Sequence, residues 1–210
     1  MPLYKKIDHD SFTQVFIWKI TESFEQLSNE IQLCQKSSMR LNGMKSESHQ
    51  KGFLSVRKLV QEAGYSDFDL YYDESGKPNL NDGKFISITH SHEFSAIIIS
   101  NKDCGIDIEL QREKITRIAD KFIDSESVYL NEETKNRISM LTVIWGAKES
   151  VFKIQNEPGI SFKDHINVTP FQIKDGAAKV LLNFNGKTKY FKINFMELEG
   201  FTLVYAFENT

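Results

Sequence analysis

Apolar residues alternate with polar ones in some stretches of this chain and recur at helical spacing in others. SFTQVFIWKI (11–20) is β-rich and partly alternating, which predicts a first strand. Ser23 with Gln26 forms a capping-box pair that opens a helix running to about Cys34. Residues 37–48 are polar and read as loop. From His49 to Ala63, Phe53, Val56, Val60 and Ala63 fall at helical spacing, with Gly64 as the stop. DLYYDE runs into the turn SGKP, then KFISITH and FSAIIIS add strands.

The order then restarts. CGIDIEL (104–110) reads as a strand, ITRIADKFI as a helix, and a longer helix runs from about Lys135 to Gln155. HINVTPFQI, AKVLLNF, KYFKINFMEL and FTLVYAF read as strands, punctuated by turns at Asp175-Gly176, Asn185-Gly186 and Glu199-Gly200. Strand, two helices and a β-meander thus occur twice. The pattern predicts an α+β chain of two halves, 1–103 and 104–210, each a small, mostly antiparallel sheet with packed helices. A cleft between such halves is a favoured place for a ligand.

Composition narrows the class. The chain has 210 residues, 40% hydrophobic and 26% charged, with sixteen Phe, as in an ordinary globular protein. A net charge of −3 gives no global field for nucleic acid or an anionic membrane. Cys34 and Cys104 are too few for a disulfide framework. The first ten residues lack an apolar signal core, and no apolar run reaches the ~18 residues of a membrane span. The expectation is a cytoplasmic protein with no membrane and no nucleic-acid partner.

Two stretches carry chemistry. In CGIDIEL, Asp107 and Glu109 share one face of a strand whose other face is Ile106, Ile108 and Leu110. Like charges so close call for a counter-charge or solvent. In WGAKESVFK (145–153), stepping about 100° per residue puts Leu141, Ile144, Trp145 and Phe152 on one arc, with Lys148 inside it and Glu149 at its edge. Lys153 follows Glu149 by one turn, which also fits an exposed Glu–Lys pair. Three carboxylates with lysines nearby suit Mg²⁺, or Mn²⁺, against a phosphate or pyrophosphate.

These residues resemble the signature of 4′-phosphopantetheinyl transferases, (V/I)G(I/V)D followed, about forty residues on, by (F/W)xxKE(S/A)xxK: here Gly105-Ile106-Asp107-Ile108-Glu109 and Trp145 to Lys153. GKPNL (76–80) and ISITHS (86–91) resemble two further motifs of the larger, Sfp-type class. The resemblance spans roughly residues 50–165. Thr89 stands where Ser is common and Cys104 where an aliphatic residue is common.

The resemblance implies two similar halves forming a pseudo-dimer within one chain, an active site at their interface, and a monomer. It implies transfer of the phosphopantetheine arm of coenzyme A to a serine of an apo acyl or peptidyl carrier protein, releasing adenosine 3′,5′-bisphosphate. Asp107, Glu109 and Glu149 would hold Mg²⁺. Glu149 would take the serine proton, Lys153 would contact the phosphates, and His90 would hold a phosphate, with Lys77 and Ser91 on the nucleotide. Lys148 would lie near the metal. Arg57 and Lys51 are looser matches as 3′-phosphate ligands, with a solvated helix face as the competing reading. Arg112, Lys114, Arg117 and Lys121 form a basic stretch that could dock an acidic carrier or be a solvated face. Rival activities are a Mg²⁺-dependent phosphodiester or pyrophosphate hydrolase, and a catalytically silent coenzyme A or carrier binder.

Overall fold

A computed structural model describes residues 3–130 and 133–209. The chain divides into two compact units, Met1–Lys102 and Asp103–Thr210. The class is α+β, with two antiparallel sheets.

In the first unit, β1 (Leu3–Asp10) and β2 (Thr13–Lys19) form a hairpin. Three helices follow, α1 (Phe24–Asn29), α2 (Gln35–Asn42) and α3 (Glu47–Glu62), then β3 (Leu70–Tyr72), β4 (Pro78–Leu80), β5 (Phe85–Ser91) and β6 (Phe94–Ser100). The strand order is β1-β2-β6-β5-β4-β3. The core joins Phe16 and Trp18 of β2 to Phe53, Leu54, Leu59 and Val60 of α3.

The capping box forms as expected, with the Gln26 amide donating to Ser23 Oγ and the Ser23 amide to Gln26 Oε1. The helix it opens stops at Asn29, however, not Cys34. A second helix, α2, occupies part of the stretch read as loop. Its N-terminal residues carry no local side-chain cap. The cap comes from afar, since the Cys34 amide donates 2.9 Å to Asp67 Oδ2 and Ser37 Oγ donates 2.9 Å to Asp67 Oδ1. β1 precedes the strand expected first; its side chains are exposed or half-buried, with none buried, which gives it little apolar signal.

The second unit opens with β7 (Cys104–Leu110), then α4 (Lys114–Arg117), two 3₁₀ turns, and α5 (Arg137–Gln155). The helix expected over 115–123 is thus broken after its first turn. β8 (Ile166–Val168), β9 (Ala177–Phe184), β10 (Lys187–Leu198) and β11 (Phe201–Glu208) complete it, in the order β7-β11-β10-β9-β8. β8 is shorter than HINVTPFQI suggests, ending two residues before Pro170, which cannot donate to a ladder. The β9–β10 and β10–β11 turns have φ of 50° and 71° at Asn185-Gly186 and 46° and 81° at Glu199-Gly200, matching the primed turns of two-residue hairpins.

With β1 set aside, both sheets have the same order: an opening strand, then the last strand of the meander, then the rest in reverse. Among the described residues no helix is long and apolar enough to cross a membrane.

Candidate active site

α5 lies directly on β7 and β11. The approach depends on two glycines. A Cβ on Gly105 would stand 1.9 Å from the Ser150 carbonyl oxygen, and a Cβ on Gly146 would stand 2.7 Å from Val204 Cγ2 and 3.6 Å from Asp107 Oδ2. Gly105 therefore identifies the face of β7 that meets the helix. Alternation puts Asp107 and Glu109 on that same face, while Ile106 and Ile108 are buried on the other.

α5 supplies Glu149 and Lys153 to this face. Lys153 Nζ donates 2.8 Å to the Ile106 carbonyl and 2.9 Å to Asp107 Oδ1. Its hydrogen-bonded carboxylate is thus on the strand, not the Glu149 one turn before it. Glu149 is half-buried. Burial raises its pKa first, Asp107 raises it further, Lys153 pulls it down, and Glu109 adds to the rise. The result is about 7. The three carboxylates share one electrostatic field.

That convergence is not a closed ligand cage, because among the described residues no three His, Cys, Asp or Glu side chains are gathered as a metal-binding cluster. The donor set still fits a hard divalent cation. It is all oxygen, and a positive charge there would let Glu149 ionise beside Asp107 and Glu109.

Lys148 behaves differently from its neighbour. It is fully buried, its ammonium 2.7 Å from Glu126 Oε1, 2.5 Å from the Phe122 carbonyl and 3.0 Å from the Phe162 carbonyl. Those three bonds account for its three protons. The expectation that it serves the metal site is corrected: its ammonium turns to Glu126 and the Phe122 and Phe162 carbonyls, anchoring α5 to those segments. Burial depresses its pKa and Glu126 opposes the fall. Glu126 also accepts from the Val168 amide at 2.9 Å and the Asp124 amide at 3.1 Å. The sequence reading missed Glu126; its position in the polar run DSES gave no sign of complete burial.

The remaining candidates lie in the first unit. His90, near the end of β5, is exposed, and its ring rests on Gly52 of α3, where a Cβ would come within 3.1 Å of Cδ2. His49, one turn earlier on α3, stacks toward it with ring centroids 6.3 Å apart. Lys51 precedes Gly52 on α3 and is half-buried. Ser91 is buried, its Oγ 3.2 Å from His92 Nδ1. Lys77 closes a turn held by Asp73, whose Oδ1 accepts from the Lys77 amide at 3.0 Å.

Arg57 is 2% exposed. Its Nε donates 3.0 Å to Asp67 Oδ1, and its guanidinium carbon lies 3.5 Å from the centre of the Phe53 ring. Burial would lift the Asp67 pKa, but the Cys34 amide, the Ser37 hydroxyl and Arg57 together hold it below its ordinary value. Arg57 is neither on a solvated face nor presented to a phosphate; it is the core partner of Asp67.

Residues 103–206 match the sequence model of the 4′-phosphopantetheinyl transferase superfamily. The chain is also 33% identical, over 107 residues, to the 4′-phosphopantetheinyl transferase gsp of Aneurinibacillus migulanus. That match covers 49% of this chain and 45% of the relative, so it spans a little under half of the relative's length. All four residues on the helix–strand face, Asp107, Glu109, Glu149 and Lys153, fall inside the family match.

Proposed function

The chain belongs to the 4′-phosphopantetheinyl transferase superfamily through its residues 103–206, and on that premise we propose that it transfers the 4′-phosphopantetheine arm of coenzyme A to a serine of an apo acyl or peptidyl carrier protein. The observation that carries this reading is the gathering of Asp107, Glu109, Glu149 and Lys153 on the face where α5 crosses β7, with Lys153 Nζ 2.9 Å from Asp107 Oδ1 and Glu149 in the field of the other three. A carboxylate placed among such groups is positioned to accept a proton from an attacking hydroxyl.

The serine oxygen attacks the phosphorus bearing the pantetheine, and the bond to the bridging diphosphate oxygen breaks. The serine proton passes to Glu149, and adenosine 3′,5′-bisphosphate leaves. Bound by Asp107, Glu109 and Glu149, Mg²⁺ (or Mn²⁺) would neutralise charge on the diphosphate oxygens. Lys153 fixes the Asp107 carboxylate and places positive charge beside the phosphates. His90 holds a phosphate of coenzyme A, with Lys77, Ser91 and Lys51 assisting. Arg57 is left out, because its guanidinium is committed to Asp67. The protein acts as a monomer in the cytoplasm.

Incubation with coenzyme A, Mg²⁺ and several apo carriers should add the phosphopantetheine mass to at least one carrier. Hydrolysis of coenzyme A with no carrier modified would favour the hydrolase reading. Binding without turnover would favour the silent one.

A further inference from the structure

Lys179 of β9 and Lys192 of β10 are directly paired across the ladder. Their side chains therefore leave the sheet on one face, and both are exposed. Like charges placed opposite each other repel. Among the described residues neither lysine has an ion-pair or hydrogen-bonding side-chain partner, in contrast to Lys189 of the same strand, which pairs with Glu208 at 3.3 Å.

The two lysines line one wall of a cavity of about 430 Å³. Pro170, Phe171, Ala177 and Ala178 give it an apolar wall, Thr169 and Asn209 add polar groups, and Asp175 is the one carboxylate among the described lining residues. That volume falls in the range of small-molecule sites, on the order of 300–1,000 Å³. Phe171 is held by edge contacts to Tyr129 and Phe195, with centroids 6.4 Å and 5.5 Å away, so the apolar wall is built rather than loose.

The place is separate from the carboxylates. β10 is two strands from β7 in the sheet order. The ladder pairs Asp107 with Val204 and Val204 with Phe195. Phe195 and Lys192 are three positions apart on β10, so they lie on opposite faces. Asp107 faces α5 and Lys192 faces away from it.

We propose that this cavity binds a small anionic molecule, with a phosphate or carboxylate held between Lys179 and Lys192 and an apolar or aromatic body against Phe171 and Pro170. An anion there supplies the counter-charge that the paired lysines lack among the described residues, and Asp175 disfavours a second negative group on the ligand.

Phenyl phosphate and inorganic phosphate serve as probes, followed by amide chemical shifts of the full chain. The expectation is saturable binding of phenyl phosphate with shifts centred on Phe171, Lys179 and Lys192, and weaker binding of inorganic phosphate. Lys192→Glu and Lys179→Glu should each weaken phenyl phosphate at least ~10-fold, as expected for loss of a charge-assisted contact. Both variants should leave carrier modification unchanged, which separates this site from the carboxylate site. Shifts confined to residues near Glu149 and His90, or equal binding by the charge-reversed variants, would overturn the proposal.

Discussion

Gly105 on β7 and Ser150 on α5 are in backbone contact, with no room between them for a methyl group. This contact sets the height of the helix above the strand, and with it the distance from Glu149 to Asp107 and Glu109. Gly105→Ala should lift α5. Overpacking of this kind costs roughly 1–3 kcal/mol, measurable as a lower urea midpoint. Carrier modification should fall further than that loss of stability explains, because the carboxylates separate. A variant of native stability and full activity would show that the close approach is dispensable.

Glu149 gives a prediction in pH. Its folded-state pKa is raised to about 7 from the ordinary glutamate value of 4.5, so the folded protein holds this proton more tightly than the unfolded chain. The resulting stabilisation is complete below about 4.5 and is lost as pH rises through about 7. Glu149→Gln should therefore flatten the fall in stability between about pH 5 and about pH 8. Asp107→Asn removes a neighbouring negative charge and should bring Glu149 down. Carboxyl carbon shifts report both. If Mg²⁺ binds here, its addition near neutral pH should release a proton, seen as a buffer-dependent heat of binding.

Lys148 and Glu126 form a buried ion pair whose remaining donors and acceptors are satisfied by backbone. Removing one partner leaves a buried charge, at a cost of about 3–5 kcal/mol. Lys148→Met should lower the urea midpoint accordingly, and adding Glu126→Gln should recover a substantial part. Failure of the second change to help would mean that the amide contacts of Glu126, not its charge, dominate.

His90 and Arg57 should separate cleanly. His90 is exposed, and His90→Ala should raise KM for coenzyme A about 10-fold or more, as expected for loss of a charge-assisted hydrogen bond, with little change in thermal midpoint. Arg57→Ala should destabilise by about 3–5 kcal/mol, since it strands the Asp67 carboxylate in the core. An effect of Arg57→Ala on KM alone would return it to the phosphate site.

The strand CGIDIEL and the motif WGAKESVFK were legible because period and residue type agree there: alternation marks a strand face, and an acid beside an apolar arc marks a helix edge. The primed turns at Asn185-Gly186 and Glu199-Gly200 were legible because glycine readily takes positive φ. α2 was not, because its cap is Asp67, some thirty residues on. Its only buried residues are Ser37 and Leu41, too few to show a period. The separation of Lys148 from Glu149 was also hidden. α5 is buried on nearly every side, so a wheel drawn from apolar residues could not say which side held which charge. The partners that decide it, Glu126 and Asp107, arrive from distant segments.

The chain traces one strand order twice, but the two opening strands differ in content. Where β7 carries Asp107 and Glu109, β2 carries Val15, Phe16, Ile17 and Trp18, all at or below 2% exposure. The duplicated path therefore yields one acidic strand, not two. A stoichiometry is therefore expected: titration of a divalent cation should saturate at one equivalent per chain, since β2 offers no second pair of carboxylates among its described residues to take over when Asp107 is lost.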